Sequence, residues 1–111
     1  MNSSAIIVLV TTGSEQQAIT IAEELVQQEL AASVNILPTM RSIYRFNGKI
    51  FDDEENLLII KSTEARFEEI CKVTRQLHTY EIPEILSFNV DKGEAKFLRW
   101  LLSSTRTESA N

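Results

Sequence analysis

The fold is decided by the segment RSIYRFNGKIF, residues 41–51, which carries the strongest short hairpin signal in the chain. Asn47 and Gly48 are the residue types that favour a two-residue turn in which both central positions have positive φ. Strand-forming side chains flank this turn on both sides. The register that follows places three pairs of residues opposite each other: Phe46 with Lys49, Tyr44 with Phe51, and Arg41 with Glu54. The last pair carries opposite charges, so it is predicted to interact across the strands.

The hairpin extends outward into two long arms, residues 32–46 and 49–63. In the first arm, apolar and polar residues alternate over Ala32–Ile36, which indicates a half-buried strand. Pro38 cannot donate a ladder hydrogen bond, so this arm needs an edge position or a bulge. The second arm contains Leu57–Ile60, which is apolar on both faces and predicts a central strand.

Two more strands are predicted from the same patterns. Ala5–Thr11 is apolar on both faces and reads as a central strand, whereas Ile85–Val90 alternates between apolar and polar residues and reads as a half-buried strand. Between the strands, helical spacing predicts three helices. The first helix runs from the Ser14 N-cap to about Ala31, and Gln17 is predicted to reach back to the N-cap as in a capping box. The second covers Glu64–His78 and has Cys71 on its buried stripe. The third is a short helix after Gly93.

The order of elements, βαββαβ followed by a helix, is that of the split-βαβ or ferredoxin-like plan. This plan puts the first and third strands in the middle of the sheet, and these are the strands that are apolar on both faces. We therefore predict an α+β, ferredoxin-like fold with an antiparallel sheet, helices on one face, a long hairpin between the second and third strands, and a C-terminal helix. The fold is predicted to be a single domain over residues 1–111, with a flexible polar tail at 103–111.

The second face of the sheet has a consequence for assembly. In the ferredoxin-like plan the helices cover one face, yet both central strands are apolar on the other face too. Soluble monomers rarely leave so large an apolar patch in contact with water. The hairpin arms are also far longer than the usual strand of about 5–6 residues. The sequence therefore predicts an obligate homo-oligomer.

Composition excludes several classes of function. The chain has 11 Lys+Arg against 16 Asp+Glu and a net charge of −5, so it would repel phosphate backbones, and no nucleic-acid binding is expected. The longest apolar run near the N-terminus, Ala5–Val10, is too short to span a membrane. One cysteine and one histidine exclude an internal disulfide and a Cys/His zinc cage within one chain. A cytoplasmic location is expected.

His78, the only histidine, has two interpretations. It can be a helix C-terminal histidine that interacts favourably with the helix dipole. It can also be a metal ligand assisted by Glu81 or by a partner chain, and imidazole plus carboxylate suits Cu(II) or Zn(II). One chain cannot complete a tight site, so a metal would be shared between subunits or held weakly.

Other charged and aromatic residues permit a ligand pocket. Lys61 shares a strand face with Leu57 and Glu55, either as a solvated strand end or as the lining of an intersubunit pocket. Trp100 and Tyr80 are candidates for packing or for the wall of a small-molecule site. No Ser/His/acid or Cys/His arrangement is identifiable, so enzymatic activity is not expected.

Seven segments resemble the CutA divalent-cation-tolerance family: Ile7–Thr12, Ile21–Val26, Asn35–Pro38, Ser42–Ile50, Leu58–Thr63, His78–Ile85 and Phe97–Leu101. The resemblance covers about Ser4–Leu102, and the phrase Tyr80-Glu81-Ile82-Pro83-Glu84 is among its most specific parts. It implies a ferredoxin-like homotrimer, similar in architecture to P-II signalling proteins. It also implies Cu(II) or another divalent cation as a weakly held ligand that folding does not require.

The resemblance also assigns residues to sites. His78 matches a histidine of the family's copper site, whereas the family's cysteine falls at Val10, which cannot ligate a metal. The family's charged and aromatic cleft between subunits is matched by Tyr44, Glu55, Lys61, Tyr80, Glu81, Glu84 and Trp100. The first functional hypothesis is a divalent-cation tolerance trimer with His78 and Glu81 as metal ligands. The alternatives are a P-II-like signalling trimer that binds a small metabolite in the cleft, and a purely structural trimer.

Overall fold

The computed structural model describes residues 4–105 and contains one four-stranded antiparallel sheet in the order β2-β3-β1-β4. The elements are β1 (Ala5–Thr12), α1 (Glu15–Gln27), β2 (Ser33–Phe46), β3 (Lys49–Thr63), α2 (Phe67–Leu77), β4 (Ile85–Asn89) and α3 (Ala95–Ser103). The ferredoxin-like prediction is confirmed, with β1 and β3 in the middle of the sheet. No helix between residues 4 and 105 has the length and apolar character needed to cross a membrane.

The β2–β3 hairpin has the predicted register, and all three predicted pairs lie opposite each other. The irregularity expected at Pro38 is a bulge, because Leu37 opposes Leu57 whereas Met40 opposes Glu55. Two residues of β2 thus face one residue of β3, and Thr39 takes a positive φ of 63°. The extra residue reverses the alternation, so that Met40 and every second residue after it share the sheet face of Leu37.

The predicted partner of Arg41 is wrong, although the backbone register is right. Arg41 lies opposite Glu54, but its guanidinium binds Asp52, one pleat along the strand. The Nε–Oδ1 distance is 2.8 Å and the Nη2–Oδ2 distance is 2.7 Å. A long arginine side chain can reach this diagonal neighbour, and two parallel hydrogen bonds to one carboxylate favour that choice.

Helix α1 ends at Gln27, four residues before the predicted end at Ala31. Glu29 has a φ of 61°, in the left-handed region, so the helix cannot continue through it. The N–H groups of Leu30 and Ala31 then donate to the carbonyl of Leu25. Leu30 and Ala31 are still buried, which explains why their apolar spacing resembled a longer helix.

The start of α1 is as predicted, except for the role of Gln17. Ser14 is the N-cap, and its hydroxyl accepts a hydrogen bond from the Gln17 N–H at 3.2 Å. The Gln17 side chain does not reach back to Ser14. Its amide nitrogen donates to the Leu77 carbonyl, and its amide oxygen accepts from the Thr79 hydroxyl, so it ties α1 to the end of α2.

Other boundaries differ slightly from the predictions. The predicted second helix begins as a 3₁₀ turn at Glu64–Arg66 and ends before His78, whose backbone is extended. Strand β4 ends at Asn89, one residue before the predicted end. Of the predicted flexible tail, Ser103 closes α3 and Thr105 is buried, whereas residues 106–111 lie outside the described part of the chain.

The two faces of the sheet have different environments. On the face covered by α1 and α2, the side chains of β1 and β3 form the core. On the opposite face, here called the open face, strand register aligns a second set of apolar side chains that are only partly buried or exposed. The open face consists of Ile7, Leu9, Leu37, Leu57, Ile59, Leu86 and Phe88.

Candidate functional site

A cavity of about 710 Å³ lies between the β2–β3 hairpin, the end of β1 and the segment that follows α2. It is lined by Leu9, Thr11, Met40, Ser42, Ile43, Tyr44, Phe46, Glu55, Leu57, Tyr80, Glu81, Ile82 and Glu84. The β2 bulge positions this lining, because it turns Met40, Ser42 and Tyr44 to the same face as Glu55. Five of the predicted site residues meet here: Tyr44, Glu55, Tyr80, Glu81 and Glu84.

The cavity is acidic. Glu55, Glu81 and Glu84 line it, and its described lining includes no lysine, arginine or histidine. Glu81 and Glu84 are exposed at the surface, whereas Glu55 is only 6% exposed even in a single chain. Glu55 lies opposite Met40, and the Tyr80 side chain that bonds to its carboxylate helps to cover it.

Tyr80 is held against Glu55 by a hydrogen bond. The Tyr80 hydroxyl donates to Glu55 Oε2 at 2.8 Å. Burial of the ring raises the pKa of Tyr80, and the hydrogen bond to Glu55 and its negative charge raise it further. The phenol therefore remains a neutral donor at physiological pH.

Gly13 makes room for this contact. A Cβ atom at Gly13 would lie 2.9 Å from the Tyr80 hydroxyl oxygen, closer than real Cβ contacts allow. The sequence marks Gly13 only as the end of a strand, and its contact with Tyr80 was not predicted. No local signal could reveal it, because the two residues belong to distant segments.

Tyr44 and Asp53 form a second phenol–carboxylate pair beside the first. The Tyr44 hydroxyl donates to Asp53 Oδ2 at 2.6 Å, and this hydrogen bond is the main cause that raises the pKa of Tyr44 to about 12. The Tyr44 ring stacks on Phe51 with a centroid distance of 5.3 Å. Asp53 was not among the predicted site residues. The hairpin register could have found it, since it lies one pleat from the position opposite Tyr44.

His78 lies behind Tyr80 and uses both of its ring nitrogens. The Tyr80 N–H donates to Nδ1 at 3.1 Å, so Nδ1 is an acceptor and carries no proton in this geometry. Nε2 then carries the proton and donates to the Thr11 carbonyl at 2.6 Å. A metal ion could bind His78 only by displacing one of these two partners.

A tight copper site does not fit within residues 4–105 of one chain. Among residues 4–105, no group of three or more histidine, cysteine, aspartate or glutamate side chains is arranged to hold a metal ion. Val10, which the resemblance matches to a cysteine of the family's copper site, is fully buried in the core, and Cys71 is buried on α2. Glu81 lines the cavity, but His78 is not part of its lining.

Lys61 and Trp100 lie away from the cavity. Lys61 contacts the side-chain oxygen of Asn35, and partial burial lowers its pKa. It shares a strand face with Glu55 but lies six residues along β3, which is about 20 Å at about 3.3 Å per residue. Trp100 is on α3, half-exposed, and packs on Phe97 with a ring centroid distance of 5.5 Å. That Lys61 and Trp100 line a cleft between subunits stays a prediction.

The family model described as CutA1 divalent ion tolerance protein matches residues 6–104. A divalent-cation tolerance protein CutA from Thermus thermophilus is 41% identical over 99 residues, which cover 89% of this chain and 96% of that protein. A chloroplastic CutA from Arabidopsis thaliana is 37% identical over 92% of this chain. The chain spans only 56% of the length of that plant protein.

Solved structures agree with these matches. A Thermus thermophilus divalent cation tolerance protein superimposes with a TM-score of 0.90 at 40% identity, over 92% of this chain and 99% of that chain. Rice CutA1 superimposes with a TM-score of 0.91 at 36% identity, over 96% of both chains. The similarity therefore includes the sheet, the helices and the segment that lines the cavity, and the chain belongs to the CutA1 divalent ion tolerance family.

Proposed function

We propose that this protein is a homotrimeric divalent-cation tolerance protein that binds cations and does not catalyse a reaction. The observation that carries the proposal is the acidic cavity, in which three glutamates meet and no basic side chain of residues 4–105 takes part. Such a site attracts positive charge and repels anions. Membership of the CutA1 family agrees with a role in cation tolerance.

The open face supports assembly with further copies of the chain. Leu9 lies opposite Ile59 on one side and Leu86 on the other, so apolar side chains form a continuous row across three strands. Leu86 and Phe88 are 50% and 52% exposed in a single chain. A large contiguous patch of this kind favours association, and the resemblance to CutA favours closure of the assembly as a trimer.

His78 and Glu81 are the proposed ligands of a weakly held Cu(II) or other divalent cation. Imidazole and carboxylate suit Cu(II), but the part of the chain that the structure describes offers no group of three such ligands, so we propose that another copy contributes to the site. The valine at position 10 removes the thiolate that would favour copper, which makes the proposed affinity low. The cytoplasm is the proposed location, since the chain carries a single cysteine.

Native mass spectrometry and Cu(II) electron paramagnetic resonance test this function. The wild-type protein should be a trimer, and its Cu(II) spectrum should show nitrogen coupling that His78→Ala abolishes. Glu81→Gln should weaken copper binding, whereas Glu64→Gln, a control at an exposed glutamate elsewhere in the chain, should not. A monomer, or a copper spectrum that survives His78→Ala, would contradict the proposal.

A small-molecule sensor is the second candidate, and the size of the cavity favours it. About 710 Å³ falls within the range of about 300–1,000 Å³ that is typical of ligand pockets. This function predicts ligand binding in an intersubunit cleft that falls in Lys61→Ala or Trp100→Ala and survives loss of His78. Equilibrium dialysis against a metabolite panel would distinguish it from the first function.

A further inference from the structure

We propose that Asn47 is a site of spontaneous deamidation, where the side-chain amide is converted to aspartate and isoaspartate, and that contacts between the hairpin arms control the rate. The site lies in the turn of the β2–β3 hairpin. It goes beyond the proposed function and does not depend on which ligand the protein binds. The contacts that carry it all lie within one hairpin of one chain.

The reaction needs only two consecutive residues and water. The backbone nitrogen of Gly48 attacks Cγ of Asn47 and loses its proton to the solvent, so that a succinimide ring forms. The side-chain amide nitrogen takes up a proton and leaves as ammonia. Water then opens the ring at either carbonyl, which gives aspartate or isoaspartate. In total one water is consumed and one ammonia is released, and nothing is oxidised or reduced.

The turn leaves the attacking nitrogen unshielded. Asn47 and Gly48 have φ values of 51° and 77°, as a two-residue hairpin turn requires, and Phe46 pairs with Lys49 directly below them. Both turn residues are exposed, so water can reach them. A Cβ atom placed on Gly48 would meet no heavy atom within 4 Å beyond its chain neighbours. Since glycine also lacks a side chain, nothing covers its backbone nitrogen.

The turn is remote from the open face, which the proposed assembly would cover. Lys49 lies eight residues along β3 from Leu57, which is about 26 Å at about 3.3 Å per residue. The reaction takes place between neighbouring residues of one chain. It therefore requires no surface that another copy of the chain would share.

The other asparagines between residues 4 and 105 are in a different environment. Asn35, Asn56 and Asn89 lie within β2, β3 and β4, where the strand holds the backbone extended. They are followed by isoleucine, leucine and valine, whose side chains shield the next backbone nitrogen. Deamidation should therefore be selective for Asn47, and these three asparagines serve as internal controls.

The reaction rate depends on how often the turn opens, because ring closure requires rotation of the backbone at Asn47. Two contacts of Tyr44 hold the arms together below the turn. Its ring stacks on Phe51 with a centroid distance of 5.3 Å, and its hydroxyl donates to Asp53 at 2.6 Å. The population of a local opening depends on the contacts that must break. The contacts of Tyr44 therefore set how often Asn47 becomes reactive.

The two products have different effects on the hairpin. Aspartate still suits the turn, because Asp-Gly favours the same two-residue geometry, and it adds a negative charge beside Lys49. Isoaspartate places an additional carbon in the main chain, so the turn no longer matches the pairing of Phe46 with Lys49. Isoaspartate should thus loosen the arm that carries Tyr44 to the cavity.

Peptide mapping of the full chain during incubation at mildly alkaline pH tests the proposal. Mass spectrometry with electron-transfer fragmentation distinguishes asparagine, aspartate and isoaspartate at each position. Asn47 should convert to both products, while Asn35, Asn56 and Asn89 remain unchanged over the same period. An Asn47 that stays intact, or faster conversion of any of the three strand asparagines, would overturn the proposal.

Two variants test whether the arms control the rate. Phe51→Ala removes the stacking partner of Tyr44 and should accelerate conversion of Asn47 by about twofold to tenfold. Phe97→Ala removes a ring from the pair with Trp100 on α3, away from the hairpin, and should leave the rate unchanged. Equal acceleration in both variants, or none in Phe51→Ala, contradicts control by the arms.

A milder variant keeps the proposal testable if Phe51→Ala fails to fold. Tyr44→Phe retains the stacked ring and removes only the hydrogen bond to Asp53, so it should accelerate conversion by a smaller factor. Circular dichroism establishes that the variant is folded before its rate is measured. An unchanged rate in folded Tyr44→Phe would show that this contact does not restrain the turn.

Discussion

The two faces of β1 and β3 have the same apolar chemistry but different surroundings. Val8 and Ile60, on the helix-covered face, are both 0% exposed, whereas their strand neighbours Leu9 and Ile59, on the open face, are only partly buried. The helices that follow β1 and β3 supply apolar stripes for one face. An apolar pattern on both faces therefore indicates a need for burial that α1 and α2 meet on one face only.

The largest predicted effect comes from truncating the helix-covered face. Ile60→Ala removes a fully buried side chain from the core and should lower the free energy of unfolding by about 2–5 kcal/mol. Chemical denaturation, monitored by circular dichroism, measures this loss.

Ile59→Ala is the matched variant on the other face of the same strand. If further copies cover the open face, its cost should be of similar size and should grow as the protein is diluted, because dilution dissociates the assembly. A cost within about 0.5 kcal/mol at all concentrations is typical of an exposed position, and it would mean that the open face stays in contact with water.

The second prediction removes the apolar character of the open face at the sheet edge. Leu86→Glu combined with Phe88→Glu places two charges where the single chain is already half-exposed, so each chain should fold while the assembly dissociates. If the chain forms the proposed trimer, analytical ultracentrifugation should show a change from trimer to monomer. Val26→Glu, at a comparably exposed position on α1, is the control and should leave the proposed assembly intact.

The third prediction concerns the cavity at the end of the open face. Gly13→Ala would place its Cβ against the Tyr80 hydroxyl and break the hydrogen bond to Glu55. Losing a hydrogen bond to a charged group should cost about 1.5–3 kcal/mol of stability, measured by thermal denaturation. In a Tyr80→Phe background the cost should be smaller, because the clashing oxygen is gone. Equal costs in both backgrounds would refute this contact.

The smallest predicted effect is a titration on the hairpin. The pKa of Tyr44 is raised from 10.0 to about 12, so the folded chain binds this proton more tightly than the unfolded chain does. Its stabilising contribution is therefore complete below about pH 10 and is lost as the pH rises towards about 12. Ultraviolet absorbance of the phenolate in a Tyr80→Phe background measures it. Asp53→Asn should move the midpoint back towards the ordinary value.

Asp52→Asn is the control for that titration. Asp52 pairs with Arg41 on the reverse side of the same hairpin, so its loss should leave the Tyr44 midpoint unchanged. A comparable shift in both variants would mean that general negative charge, and not the Asp53 hydrogen bond, raises the pKa of Tyr44.

Most of the fold could be predicted because its signals are local. The turn at Asn47 and Gly48 sets the hairpin register, and apolar pattern alone distinguishes central from edge strands. The errors have a common cause. The end of α1 depends on a backbone turn, and the partner of Arg41 depends on how far its side chain reaches. The spacing of residues in the sequence carries no information about either.

The site was predicted only in part. Residue chemistry and resemblance together supplied the five residues that meet in the cavity, but neither revealed Asp53 or the packing of Gly13 on Tyr80. Lys61 and Trp100 are not part of the cavity lining of one chain. Lys61 lies near the far end of β3, and Trp100 lies on α3.

The sequence by itself determined the strand order, the hairpin register, the acidic charge and the need to bury both faces of the sheet. Tertiary structure alone decided that the bulge turns Tyr44 towards Glu55, that Tyr80 meets a carboxylate 25 residues away, and that both nitrogens of His78 are occupied. The physical reason is the range of each effect. Periodicity and turn chemistry act between neighbours in the chain, whereas a site requires side chains from distant segments to pack at hydrogen-bond distance.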